Sequence, residues 1–476
     1  MRFDILLIIL AGIFLRLYRV QDFYMFLADQ GRDAVIVRRI LLLQKFPLIG
    51  PPSSIGEVFL GPFYYYAVAP FLWLFQSNPV GLAIGVGILS MIGSIALYFL
   101  VKKIVSREAA LILSAFVATS SLFVDIGRFS WNPNLLPYFS FITLSLFFLA
   151  LHGKRKMLYS FLFGIFFGLS FQLHHLAALL TLPIALYYIL FIVRKKDMMT
   201  LRVPFISLAG FLLTLLPFVI FELRHNFLNM RNLLSLFTKQ NVVSSGPFFA
   251  RIVDVTTPVV GFALHAVISP LITSLIVLFV IGMTLMLLKK KENPFITLHL
   301  IAFVTLLVGL SRVNAQTIPH YFHTVYISFY LLIAFILSRL FHKKLAWVNI
   351  LVVLVFILMQ SSSYYFLWQE PSRQYQAPER IGKMIAKQTK GERINLTTYP
   401  VEFTSRDCYQ YFIELNGGNV IDGSSSEVAK TLYVLCDKEP CRILNSDSWN
   451  IQMFGKAKID TMTKLDGVSV YKLSHQ

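Results

Sequence analysis

Residues Gln21 to Pro62 read QDFYMFLADQGRDAVIVRRILLLQKFPLIGPPSSIGEVFLGP, and the fold turns on how this stretch is taken. It follows the first apolar segment directly and carries Asp29, Arg32, Asp33, Arg38, Arg39, Lys45 and Glu57 in a chain where charge is scarce. Asp29 to Leu43 has helical periodicity, with Val35, Ile36, Ile40 and Leu43 apolar against charged Arg32, Asp33 and Arg39. A helix with one apolar and one charged face lies in a membrane interface rather than across it. Asp29, Arg32 and Asp33 share a face, because residues three and four apart are helical neighbours. Phe46-Pro47 forbids continuation, and Ile49 to Ser54 forms a turn-rich connector. Two readings compete: Arg32 pairs with the two carboxylates on a wetted surface, or a carboxylate is held beside a cationic phosphate binder.

Working outward, 56% of the 476 residues are hydrophobic and 14% are charged. Soluble chains carry about a quarter charged residues, so this composition predicts a mostly α, polytopic membrane protein. The formal charge of +19 is concentrated in short Lys/Arg clusters between apolar segments. That is the pattern of cytoplasmic loops, not of a nucleic-acid partner. The N-terminal apolar run lacks a small-residue cleavage site and ends in Arg16 and Arg19. It is read as an uncleaved first helix, with Arg16 snorkelling or facing the interior.

Basic clusters at Lys102-Lys103, Lys154-Arg155-Lys156, Arg194-Lys195-Lys196, Lys289-Lys290-Lys291 and Lys343-Lys344 close alternate apolar segments. The opposite boundaries carry Asp125, His174, Glu222 and Arg312. Phe63 to Phe75 is short, aromatic and interrupted by Pro70; counting it as a span would place the basic clusters outside. It is read as an interfacial or re-entrant helix, leaving about eleven spans with the N-terminus inside and the C-terminus outside. A polar loop to about Pro258 precedes the eighth span. Residues 1–368 then form a transmembrane domain, with 21–79 as its outer loop, and 369–476 a small soluble extracytoplasmic α/β domain. In that domain Pro378 to Thr389 reads as a helix, and Arg393 to Val401, Tyr409 to Leu415, Thr431 to Cys436 and Val468 to Leu473 as strands. Cys436 and Cys441 flank a tight loop where an exported domain permits a disulfide, and Cys408 is left over.

Ionisable residues at membrane ends are functional candidates. Arg128, His174, His175, Arg224 and Arg312 fall on the side predicted to hold Asp29, each with the plainer alternative of being a solvated or paired loop residue. An outer carboxylate, several outer cations and a lipid-facing body suit a polyprenyl-phosphate sugar. Its phosphate leaving group needs Arg, Lys or His, and its acceptor hydroxyl or amine needs a base.

Leu27-Ala28-Asp29-Gln30-Gly31-Arg32-Asp33-Ala34 resembles the Asp-Glu-x-Arg motif in the first outer loop of the glycosyltransferase C superfamily, above all the protein O-mannosyltransferases and lipid A aminoarabinose transferases. Gly61-Pro62-Phe63-Tyr64-Tyr65-Tyr66, Val124-Asp125-Ile126-Gly127-Arg128 and Pro319-His320-Tyr321 are similar to later elements, with His320 where the family has Arg. Gln30 stands where the family has an acidic residue, and the usual Lys-Pro-Pro element is absent. The resemblance implies a membrane hexosyl or pentosyl transferase with Asp29 as base and Arg32 near the donor phosphate. By the same likeness Arg128, Arg312 and His320 join in holding phosphate. Asp33, Glu57, Asp125, His174, His175, Glu222 and Tyr321 are candidates for donor or acceptor binding. No protein metal site is read from the sequence, and a divalent cation remains an open cofactor. The competing classes are a flippase or exporter of lipid-linked glycans, which needs polar residues at mid-membrane, and a non-catalytic lipid-binding partner.

Overall fold

The computed structural model describes residues 3–53, 58–194, 198–239, 246–313, 318–342, 345–399, 405–423, 425–437, 441, 443–444, 446 and 448–476. The first helices are α1 (Phe3–Leu17), α2 (Ala28–Leu41), α3 (Phe63–Leu74), α4 (Val80–Ile104), α5 (Arg107–Thr119), α6 (Ser121–Arg128) and α7 (Leu136–His152). After them come α8 (Lys156–Leu173), α9 (Thr181–Arg194), α10 (Met198–Thr214), α11 (Leu216–Arg224), α12 (Leu228–Lys239), α13 (Phe248–Leu264) and α14 (Pro270–Lys290). The last are α15 (Pro294–Arg312), α16 (Tyr326–Leu340), α17 (Ala346–Ser361), α18 (Gln376–Thr389), α19 (Arg406–Leu415) and α20 (Trp449–Phe454).

Two compact units divide the chain: residues 1–18, 47–67 and 84–369 form the first, and 19–46, 68–83 and 370–476 the second. Among the described residues six helices are long and apolar enough to cross a bilayer, or eight if each of two bent pairs counts as one span. The pairs are α5 with α6, bent by 56°, and α10 with α11, bent by 61°. Helices α1, α16 and α17 are apolar but shorter. Pro217 in the first turn of α11 explains the second bend, since it has no amide to donate. At the first bend the freed Ser121 amide donates to Gln360 Oε1 at 2.9 Å, and Ser120 Oγ meets Tyr330 Oη at 3.0 Å. A broken helix survives in hydrocarbon only when its orphaned backbone groups find such partners. Helix α3 has 12 residues and Pro70 inside it; at about 18 Å it falls short of a bilayer core of about 30 Å.

Within the first unit Gly164 lets α8 lie against α10: a Cβ there would stand 2.7 Å from the carbonyl carbon of Ser207. Arg16 faces the interior. It is fully buried and donates to the carbonyls of Gly12, Val117 and Ala118. The segment predicted as a polar loop before Pro258 is largely helical instead, in α12 and α13. Its polar residues hid an amphipathic pattern.

The second unit is built on a five-stranded sheet, β1 (Arg393–Thr398), β2 (Asn419–Val420), β3 (Thr431–Cys436), β4 (Ala457–Leu465) and β5 (Val468–His475), in the order β2-β1-β3-β5-β4. The β1–α19–β2 crossover makes β1 parallel to β2 and β3, while β5 is antiparallel to β3 and β4. Strand β3 feeds both faces by alternation. Tyr433 and Leu435 pack with Ile381, Ile385, Tyr409 and Ile413 of α18 and α19, and Leu432 and Val434 pack with Ile451 and Phe454 of α20. Cys436 and Cys441 form a disulfide, and Cys408 is free and buried. Tyr409 to Leu415, predicted as a strand, lies in helix α19. Cys408 to Ile413 are all buried, so no exposed face marks the helical period.

Candidate active site

In the second unit, helix α2 begins at Ala28. The Gln30 side chain, buried inside the first turn, accepts the Leu27 amide at 3.2 Å and so closes the helix start. Asp29 sits in the first turn, where the helix dipole favours a carboxylate. Its side chain is 41% exposed and accepts from Arg32 Nη1 at 2.6 Å. The same guanidinium donates through Nη2 and Nε to Asp33 Oδ1, at 2.7 and 2.9 Å, and Asp33 is buried. The three residues predicted to share a face therefore do so, with Arg32 clamped between two carboxylates. The helix stops at Leu41 rather than running to Leu43, which turns the chain away with φ +56° and is exposed.

Helix α19 backs α2 along its length. A Cβ on Gly31 would stand 2.6 Å from the Cys408 amide nitrogen and 2.9 Å from the Asp407 carbonyl carbon. The Cys408 thiol donates toward the carbonyls of Phe26 and Leu27, each 3.2 Å away. Further along, Arg39 pairs with Glu414 at 3.2 Å and with Asp422 at 3.3 Å. Burial pushes the Asp407 carboxyl above its ordinary value against the pull of Arg406 and Arg32. No feature of the sequence singled out Asp407.

In the first unit a second group forms around the turn Pro319–Phe322. The rings of His320 and Trp131 are 4.5 Å apart, and His174 lies 5.7 Å from His320 and 5.6 Å from Tyr321. Asn132 Nδ2 donates to the Leu173 carbonyl at 2.7 Å, tying the Trp131 segment to the residue before His174. His174 Nδ1 accepts the Leu176 amide at 3.2 Å. Burial, reinforced by His320, His175 and His323, holds that imidazole well below its usual pKa. The neutral ring thus carries its proton on Nε2, as a hydrogen-bond donor. His175 packs edge-on to Phe171 instead of joining the group. Trp131 and His323, the latter donating from Nδ1 to the Pro133 carbonyl at 2.8 Å, are members that sequence reasoning missed.

Asp125 lines a neighbouring cavity of about 900 Å³, with Arg251, Asp254, His265 and Pro319 among its walls. Arg312 is exposed and lies 4.5 Å over the Phe248 ring. Two candidates are occupied structurally. Arg128 is buried, donates from Nη1 to the carbonyls of Leu15, Arg16 and Tyr18, and stacks 3.7 Å over Phe366. It closes the C-terminal end of α1, where a cation suits the helix dipole. Glu222 accepts the Asn229 and Met230 amides at 3.1 and 2.9 Å and caps α12; Asn229 in turn holds both backbone groups of Phe59. Glu57 lies outside the described residues. Among the described residues no three His, Cys, Asp or Glu side chains are grouped as metal ligands would be.

Residues 60–221 match the family model of dolichyl-phosphate-mannose-protein mannosyltransferases. No curated protein matches the chain in sequence. In fold it is similar to ArnT from Cupriavidus metallidurans bound to undecaprenyl phosphate, with TM-score 0.65 and 10% identity over 98% of this chain and 97% of that one. The apo state of ArnT gives TM-score 0.67 at 11% identity, over the same shares of the two chains. The archaeal oligosaccharyltransferase AglB from Archaeoglobus fulgidus, in complex with an inhibitory peptide and a dolichol-phosphate, gives TM-score 0.53 at 12% identity over 90% of this chain and 69% of that one. In fold the chain is thus similar to ArnT and AglB over most of its length, and residues 60–221 match the mannosyltransferase family model.

Proposed function

We propose that the chain transfers a sugar from a polyprenyl-phosphate donor to an extracytoplasmic acceptor: a protein, a lipid or a cell-envelope glycan. The observation that carries this reading is the Asp29–Arg32 pair at the start of α2, a first-turn carboxylate with substantial exposure and a fixed cationic partner. Two solved relatives in fold hold undecaprenyl phosphate and dolichol-phosphate, which supports the donor class.

In this reading about eleven spans place α2 and the C-terminal unit on the outer side of the cell membrane. Asp29 takes the proton of the acceptor hydroxyl or amine as that atom attacks the anomeric carbon. The bond from that carbon to the phosphate oxygen breaks, its electron pair leaves with the polyprenyl phosphate, and the anomeric centre inverts. Arg32 orients Asp29 and meets the phosphate, while the His320 group of the first unit is kept as a separate candidate for binding phosphate. Arg128 and Glu222 are assigned to the fold instead.

The test is transfer by the purified full-length chain, with cell-envelope membranes as acceptor source, from a panel of undecaprenyl-phosphate hexoses and pentoses labelled in the sugar. Label should move to an acceptor, and Asp29→Asn should abolish the movement. Translocation of donor without product, or full turnover by Asp29→Asn, would sink the reading.

A further inference from the structure

Asp29 and Asp33 both accept from Arg32, but they stand in different surroundings. The Asp29 side chain is 41% exposed, whereas Asp33 is 1% exposed. A carboxylate shut away from solvent cannot reach an incoming sugar, phosphate or acceptor. It stays charged only with a cation held against it. Arg32 supplies that cation through two donors, Nε at 2.9 Å and Nη2 at 2.7 Å from Asp33 Oδ1.

The guanidinium is planar and rigid, and Nε and Nη2 lie along one edge of it. Fixing that edge fixes the plane, and with it the direction in which Nη1 points. Nη1 donates to Asp29 Oδ1 at 2.6 Å. An exposed ion pair between residues three apart holds a long side chain weakly on its own, because screening and rotamer entropy work against it. The buried bonds to Asp33 remove that freedom. Arg32 cannot swing outward without stranding a charge in the interior. All three residues lie in the first two turns of α2, so a single element carries the whole arrangement.

We propose that Asp33 is a positioning residue for the transfer centre: it anchors Arg32, which aims and holds the Asp29 carboxylate, and it touches neither donor nor acceptor. This rests on the assignment of Asp29 as base. A base misplaced by an ångström loses turnover, so Asp33→Asn should lower kcat between about tenfold and a hundredfold. The charge of Arg32 remains in that variant and its pull on phosphate with it, so KM for the donor should stay within about twofold. Acting through Arg32, Asp33 should matter no further once the guanidinium edge is gone. Arg32→Lys keeps the charge on a compact ammonium, and Asp33→Asn added to it should change turnover by less than about twofold.

The experiment measures kcat and KM of the full chain with whichever donor of the panel turns over, for wild type, Asp33→Asn, Arg32→Lys, the double variant and Asp29→Asn. Docking of α2 on α19 is followed in parallel by alkylation of Cys408 with N-ethylmaleimide. That thiol is free, buried and held against the carbonyls of Phe26 and Leu27, so it reacts slowly in the folded protein. A fallen kcat, a steady KM and slow alkylation in Asp33→Asn, with the double variant no slower than Arg32→Lys, support the proposal. Wild-type kcat in Asp33→Asn beside a dead Asp29→Asn overturns it and leaves the base assignment standing. A donor KM raised beyond that range overturns it in favour of direct contact with the donor. Lost turnover with fast alkylation overturns it too, because Asp33 is then only structural. So does an Arg32→Lys more active than Asp33→Asn, or a further fall in the double variant, since Asp33 then acts other than through Arg32. An active Asp29→Asn, or no turnover with any donor, removes the base assignment itself and this proposal with it.

Discussion

A methyl group at Gly31 would stand 2.6 Å from the amide nitrogen of Cys408, closer than real side-chain carbons come to backbone. Neither neighbour is a flexible tip that could swing away. Gly31→Ala should therefore destabilise the second unit by about 1–3 kcal/mol, the usual cost of overpacking. Thermal unfolding of the purified chain should show a lower Tm, and Cys408 should become open to maleimide. An unchanged Tm together with a still-protected Cys408 would mean that α2 and α19 are not in this contact.

Asp29→Asn removes one ion pair of a residue that is 41% exposed. Exposed pairs contribute about 0–1 kcal/mol, so the variant should melt close to wild type. A positioned base contributes about 10²–10⁴-fold, and transfer should fall by at least that lower figure. Paired measurement of Tm and turnover separates the two effects.

Arg128→Met should behave in the opposite way. The variant loses three charged hydrogen bonds to the end of α1 and the contact over Phe366. Bonds to a charged group are worth about 1.5–3 kcal/mol each, and two of the carbonyls left behind, those of Leu15 and Arg16, are buried. Loss of folded protein on size-exclusion chromatography is expected. A well-folded Arg128→Met with a raised donor KM would return Arg128 to phosphate binding.

Asp407 gives stability a definite pH dependence. Its carboxyl is raised above the unfolded value of about 3.9, so the folded chain holds that proton more tightly and loses stability as pH climbs through the raised value. Arg406, Arg32 and Arg39 pull the other way and Asp422 adds to the rise, but burial is the larger cause. Asp407→Asn, which cannot ionise, should melt at or above wild type near neutral pH. The gap should close at about pH 4. A variant that melts lower at neutral pH and not at acid pH would reverse the sign.

His320→Ala should raise donor KM with little change in Tm. The His320 ring contacts Trp131, His174 and Tyr321 at the edge of a turn, and no core layer depends on it. Equilibrium binding of undecaprenyl phosphate to wild type and variant checks this; equal affinities would take His320 out of the donor site.

Much of the membrane body was legible because hydrocarbon imposes a simple rule on composition. Each apolar segment between Lys/Arg clusters lies on a helix or a bent pair, and the short Phe63 segment is a helix too brief to cross. The Asp29–Arg32–Asp33 face followed from spacing alone. What stayed hidden depends on distant partners. Arg128 carries the same charge whether it meets phosphate or three carbonyls. Gln30 read as a departure from a motif, yet its amide closes the start of α2. Tyr409 to Leu415 passed for a strand because aromatic and branched residues surround a helix buried on every side.

The Cys408 thiol reaches the carbonyl of Phe26 across 382 positions of chain. The segment bearing Asp29 is therefore made long before its backing helix. Closing so wide a loop is slow and entropically costly. A chain halted before residue 406 would lack α19, so on the proposed reading it should show no sugar transfer.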